Sequence, residues 1–182
     1  MSGSAHSFFF AMIHFEEQKK IRSQLRSCLS GVAHALDSQI SGIEFTQDSR
    51  GLLVRIFLDG PNVGIATCAK FSREISPILD VEDPLPEAYV LEVSTPGFER
   101  ILELKTDFQR FMGFHIRVRI ATKKNKINGR LISADEAGFT LQYDDERERT
   151  IDYADAISVR LNPKDEEIAK LKHIPFVPTR QE

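Results

Sequence analysis

The 182-residue chain has little of what catalysis, metal binding or membrane insertion requires. No run of about 18 apolar residues occurs, so no membrane-crossing helix is expected. The only cysteines, Cys28 and Cys68, stand far apart with no metal-ligand spacing. Each falls in a helical apolar pattern, so buried thiols in a reducing compartment are expected rather than a disulfide. The five histidines, His6, His14, His34, His115 and His173, are scattered. There is no His-x-x-x-His, Cys-x-x-Cys or Gly-x-x-x-x-Gly-Lys, and Ser94 does not lie in Gly-x-Ser-x-Gly. Asp80, Glu82 and Asp83 are close enough in sequence to hold a divalent ion, but a solvated, mutually repelling run is the ordinary reading. These absences argue against an enzyme and against a bound cofactor or metal.

What is present is ordinary for a soluble globular protein: 41% hydrophobic and 28% charged residues, in a length that suits one domain or two small ones. The net charge of −3 is unevenly spread. Residues 15–104 carry 9 basic and 14 acidic groups, residues 105–162 carry 11 basic and 9 acidic, and residues 163–182 carry 4 of each. An acidic half joined to a mildly basic half implies two modules and no coating of nucleic acid by charge alone. At the N-terminus, Ser7 to Ile13 is apolar and aromatic, but no Lys or Arg precedes it and no Ala-x-Ala site follows, so it does not read as a signal peptide. Residues 1–14 are expected to be disordered or loosely attached, with Met12 an alternative natural start.

Periodicity divides the rest. Ile21, Leu25, Leu29, Val32 and Leu36 predict an amphipathic helix over 15–37. Lys19, Lys20, Arg22 and Arg26 fall largely off that stripe, as a solvated face or a phosphate-binding one. Strands are expected over 39–45 and 52–58, joined as a hairpin. A second helix is expected over 64–79, with Cys68, Phe71, Ile75 and Leu79 on one face. Pro77 is expected to distort its last turn or end it early. An acidic, proline-rich connection over 80–86 leads to a strand over 89–94. This α-β-β-α-β order predicts a small α+β domain over 15–104, two helices covering one face of a three-stranded sheet. After a short helix over 106–113 the period changes to two. Strands over 115–120, 126–134, 138–143, 149–153 and 157–161 match a five-stranded SH3-like or Sm-like β-barrel over 105–162. A short helix over 163–173 and a mobile tail follow, in which Phe176 and Val177 are candidates to dock on a groove.

Two stretches carry a family resemblance. One is Ile78-Leu79-Asp80-Val81-Glu82-Asp83-Pro84. The other is Leu91-Glu92-Val93-Ser94-Thr95-Pro96-Gly97-Phe98-Glu99-Arg100, where a strand breaks at a proline and a glycine. They resemble the acidic linker and the signature of RimP, the bacterial ribosome maturation factor family. Gly42-Ile43-Glu44-Phe45 and Leu58-Asp59 sit where that family has its first hairpin, and the resemblance runs over about 15–161. Thr95 stands for a commoner serine, which keeps the hydroxyl, and Ile101 for a frequent proline. The resemblance implies an α/β domain followed by an SH3-like barrel, in a monomer of the bacterial cytoplasm. It also implies binding to the free small (30S) ribosomal subunit, promotion of its late assembly, and rRNA and a ribosomal protein near the decoding region as partners. A stand-alone Sm-like RNA-binding regulatory module is the alternative.

Three sets of residues are candidates for binding. Arg117, Arg119, Lys123, Lys124, Lys126 and Arg130 form the one dense basic patch in the sequence, suited to rRNA phosphates. Stacking platforms for single-stranded RNA are poorly represented, because Phe139 and Tyr143 fall in the core alternation, and no Gly-x-x-Gly loop of KH type occurs. Asp80, Glu82 and Asp83 suit a basic ribosomal protein. The signature turn, Glu92, Ser94, Thr95, Pro96, Gly97 and Arg100, reads first as a corner that sets interdomain geometry. Pro96 and Gly97 would fix the turn, and Arg100 is placed to pair with Glu92 or Glu103. Direct ribosome contact by Ser94, Thr95 and Arg100 is the other reading.

Overall fold

A computed structural model describes residues 15–49, 51–85, 88–120 and 126–176. The expectations for residues 1–14, for Lys123 and Lys124, and for Val177 lie outside the described residues. The protein is α+β, with four helices and two sheets among the described residues. It divides into two compact units between Thr95 and Pro96.

The first unit opens with α1 (Phe15–Ala35), whose Ile21, Leu25, Leu29 and Ala33 are buried along one stripe. Strands β1 (Gln39–Asp48) and β2 (Gly51–Asp59) pair antiparallel from Gln39↔Asp59 to Asp48↔Gly51, with a bulge between Ile40 and Gly42. β1 runs on to Asp48 and β2 begins at Gly51, beyond the expected ends, because the connection between them is only two residues long. Helix α2 (Ile65–Glu82) buries Cys68, Phe71, Ile75 and Leu79. It returns the chain to β3 (Tyr89–Ser94), which pairs parallel with β2 from Leu52↔Tyr89 to Phe57↔Ser94. A parallel neighbour needs a crossover, and α2 supplies it. The core forms where α1 and α2 cover Leu52, Val54, Ile56 and Leu58 of β2, with Tyr89, Leu91 and Val93 packed against it.

Pro77 does not end α2, which continues for five residues to Glu82. Pro77 removes the bond that the Arg73 carbonyl would accept, but both residues are exposed, so that carbonyl is open to solvent and the loss is small. The helix stops instead at Asp83, whose left-handed backbone (φ 40°) turns its N–H onto the Leu79 carbonyl at 3.0 Å. Asp80 and Glu82 are therefore on the last turn of a helix and not in a linker.

Cys28 and Cys68 are free thiols. Burial pushes both up, and the Glu82 charge adds to the effect at Cys28. Alkylation by iodoacetamide at pH 8 is expected to run on the order of tenfold slower in the native chain than in urea, since the thiolate is the nucleophile. Equal rates would show that the thiols stand open.

The second unit carries α3 (Lys105–Arg110) and a five-stranded antiparallel sheet: β4 (His115–Ile120), β5 (Ile127–Ala134), β6 (Gly138–Gln142), β7 (Glu148–Asp152) and β8 (Ala156–Leu161). The strand order is β7-β6-β5-β4-β8. The last strand thus returns to lie beside the first, and among the described residues no pairing joins β7 to β8. Glycine is required at 138, where a Cβ would meet the Ile151 carbonyl oxygen at 2.4 Å. Ile116, Val118, Leu131, Phe139, Leu141, Val159 and Leu161 form the core beneath, with Phe108 of α3 stacked 4.8 Å from Phe139.

Residues 96–104, assigned from sequence to the first domain, run along the second unit. Ile101 bridges to Arg160, the Leu102 N–H donates to the Val159 carbonyl at 2.9 Å, and the Leu161 N–H donates to the Arg100 carbonyl at 2.9 Å. This segment covers the open edge of β8, which would otherwise expose unpaired backbone groups. The short helix α4 (Asp165–Leu171) follows and is pinned by Glu167, which is only 3% exposed.

Candidate nucleic-acid interface

The alternation that buries Ile116, Val118 and Ile120 turns Arg117 and Arg119 to the opposite face of β4. On β5 the same rule buries Ile127 and Leu131 and leaves Asn128 and Arg130 outside; on β8 it buries Val159 and Leu161 and leaves Ser158 and Arg160 outside. The register joins these into rows. Arg117 lies opposite Asn128 on one side and Arg160 on the other, Arg119 lies opposite Ser158, and His115 lies opposite Arg130. Residues directly opposite share a face, so Arg160, Arg117 and Asn128 form one continuous polar row across three strands.

Two arginines directly opposite repel, and Glu99 relieves the repulsion. Its carboxylate lies 3.7 Å from Arg117 Nη1, and its carbonyl accepts from Arg160 Nη1 at 3.2 Å. Arg117 also donates to Asn162 Oδ1. Arg130 is half-buried and donates to the Gly113 carbonyl at 3.2 Å, so part of its donor capacity serves the turn after α3. The side chains of Arg119 and Lys126 are exposed and make no hydrogen bond or ion pair among the described residues. They are the cations of this face most available to an external anion.

His115 sits at the end of this face but under α4, 6% exposed. The Glu167 carboxylate accepts from the His115 backbone N–H at 3.2 Å and the Lys164 N–H at 3.0 Å, and its other oxygen lies 2.9 Å from His115 Nδ1. Burial alone pushes the Glu167 carboxyl up, but the His115 ring hydrogen bond, the two backbone donors and the His115 charge together outweigh it, and the group is held below the usual carboxylate range.

The basic stripe of α1 is less open than its sequence suggests. The Arg22 guanidinium lies 5.7 Å from the Phe45 ring centroid, and Arg26 donates to the Ile40 carbonyl. Both arginines fold back onto β1.

The signature turn divides between the units. Glu92 does not pair with Arg100. It accepts a bidentate pair of bonds from Arg55, at 2.9 and 3.1 Å, while Glu44 lies 3.6 Å from the same guanidinium. Glu44, Arg55 and Glu92 are register partners, so this is a charge row across the three strands of the first sheet. Arg100 instead lies over the buried Phe111 ring, 5.1 Å from its centroid. Ser94 Oγ donates only to the neighbouring Thr95 carbonyl, at 3.4 Å. At Gly97 a Cβ would meet nothing within 4 Å, and nothing in the structure explains why Pro96 is followed by glycine there.

Sequence reasoning missed Arg160, Asn128 and the bracing by Glu99. The alternation of Arg160 with Val159 and Leu161 was a signal that it faces outward. That β8 lies beside β4 was not written in any local pattern. Among the described residues no group of three or more His, Cys, Asp or Glu side chains is placed to hold a metal ion, and no helix is long and apolar enough to cross a membrane.

The class follows from the first unit. Residues 28–99, from the middle of α1 to one residue short of Arg100 in the signature turn, match a family model described as the RimP N-terminal domain. That family is one of non-catalytic ribosome maturation factors. Over those residues the chain is similar to the RimP family.

Proposed function

We propose that this protein binds the free small (30S) ribosomal subunit in the bacterial cytoplasm and promotes its late assembly, acting as a monomer without cofactor or catalysis. The outer face of β4, β5 and β8 meets rRNA phosphates. The acidic end of α2 meets a basic ribosomal protein near the decoding region. The observation that carries this reading is the row of Arg160, Arg117 and Asn128 with exposed Arg119 beside it, in a chain whose first unit matches a ribosome maturation family. Among the described residues no aromatic platform accompanies the row, which suits contact with phosphate and not with bases. The five-stranded sheet is read as an SH3-like barrel, supported by the return of β8 to the first strand.

Sucrose-gradient sedimentation of a lysate tests the function. The protein is expected with free small subunits and absent from whole ribosomes. Migration with heterogeneous short RNAs instead would favour the stand-alone RNA-binding module. In the same gradients, Asp80→Lys, Glu82→Lys and Asp83→Lys together are expected to reduce the bound fraction several-fold with no loss of folding by circular dichroism, because reversed charge repels a basic partner. Unchanged co-sedimentation would remove the acidic end of α2 from the interface.

A further inference from the structure

A pocket of about 550 Å³ opens in the first unit where α2 ends. Leu79 and Leu85, 3% and 5% exposed, line it together with Leu91 and Tyr89 from β3, and more of its accessible surface is polar than apolar. Its rim carries two carboxylates, Asp80 from the last turn of α2 and Asp83 from the left-handed cap. Neither carboxylate has a hydrogen bond or ion pair among the described residues. Elsewhere the chain answers such charges internally, as Arg55 does for Glu92 and Lys164 for Asp144. The Tyr89 phenol is pushed up, first by burial and then by the Asp80 and Asp83 charges, so both carboxylates act on the aromatic wall.

We infer that this pocket receives one lysine or arginine side chain of a basic protein partner, its stem against Leu79, Leu85 and Leu91 and its cationic head between Asp80 and Asp83. This rests on the reading that the acidic end of α2 faces a ribosomal protein, and it names the residue type taken there. Size and charge both select the occupant. The volume lies in the range of side-chain and small-ligand sites. A wholly apolar side chain would cover two carboxylates without compensating them. A divalent ion is not favoured, because among the described residues no third His, Cys, Asp or Glu joins Asp80 and Asp83 to hold one. Lysine and arginine combine an apolar stem with a charged tip, and the Tyr89 ring adds a face that attracts cations.

The test uses the full-length, ¹⁵N-labelled chain and three acetylated Gly-Ser-X-Ser-Gly amide peptides with X as arginine, lysine or citrulline. The arginine and lysine peptides are expected to shift the Ser76, Ala88 and Tyr89 amides saturably, and the uncharged citrulline peptide is expected to leave them in place. Asp80→Asn and Asp83→Asn are each expected to weaken binding about fivefold or more, as loss of one partner of a charge pair does. Asparagine tolerates the left-handed backbone at 83, so the cap survives the substitution. Ala88→Phe, which fills the mouth without changing charge, is expected to abolish the shifts. Glu82→Gln, outside the pocket wall, is expected to change binding by less than about twofold. An effect of Glu82→Gln equal to that of Asp80→Asn, a response to the citrulline peptide, or an equal response to spermidine would overturn the inference. Sedimentation separates it from the function: co-sedimentation with free small subunits without peptide binding overturns the pocket alone, and peptide binding without co-sedimentation overturns the subunit reading alone.

Discussion

Arg119→Ala with Lys126→Ala is expected to weaken binding to small-subunit rRNA roughly 25- to 60-fold at 0.1 M salt, with a fall of about 1.4 to 1.8 in the slope of log affinity against log salt. The magnitude follows from counterion release. Each phosphate contact contributes about 0.7 to 0.9 to the slope, depending on whether the RNA is single- or double-stranded, and the same amount in log affinity at 0.1 M. The side chains of these two cations are exposed and make no hydrogen bond or ion pair among the described residues, so removing them is expected to leave the fold intact. The loss should be uniform across RNA sequences, as expected for contacts to backbone and not to bases. Fluorescence anisotropy over a salt series reads both quantities. A slope equal to that of the unaltered chain would show that the outer face of β4 and β5 does not meet RNA. Arg117→Ala is the poorer probe, because Arg117 also braces Glu99 and Asn162, and its loss would mix folding with binding.

Glu167→Ala is expected to destabilise the second unit by about 2–3 kcal/mol, a drop in Tm on the order of 10 °C for a unit of this size. The cause is local. One buried carboxylate satisfies two backbone N–H groups and the His115 ring, and alanine leaves these groups unpaired beneath α4. The effect carries a pH signature. The folded-state carboxyl is held below its ordinary range, so its contribution is fully present above the unfolded value and is lost as pH falls through the folded one. The gap in stability between the unaltered chain and Glu167→Ala should therefore be constant near neutrality and close below the ordinary glutamate range. Denaturant melts between pH 7 and pH 3 measure this, and a gap that does not narrow in acid would show that packing and not the carboxylate accounts for the loss.

Much of this architecture was legible before the structure. The stripe of Leu25 and Leu29, the alternation from Leu52 to Leu58, and the change to a period of two after His115 each record a local fact, namely which side of an element meets the core. Those facts survive in the sequence because burial selects residue type position by position. For the same reason Arg117 and Arg119 could be turned outward with no knowledge of their neighbours.

Other features could not be read this way. Residues 80–86 read as an acidic, proline-rich connection, with Pro77 distorting the helix before it or ending it early, yet α2 runs on to Glu82 because the carbonyl that Pro77 frees is exposed and Asp83 supplies the cap. Arg100 was placed by sequence to pair with Glu92 or Glu103; Glu92 belongs instead to a charge row with Arg55, and the Arg100 guanidinium lies over Phe111.

The sequence by itself determined most elements, their inward faces and the sign of charge in each half, because these depend on periodicity and composition within a short window. The tertiary structure alone decided that β8 lies beside β4, so that Arg160 joins Arg117 with Glu99 between them, and that Leu85 and Tyr89 close a pocket under Asp80 and Asp83. Strand order and the meeting of distant side chains depend on long-range pairing, for which a one-dimensional pattern carries no local signal.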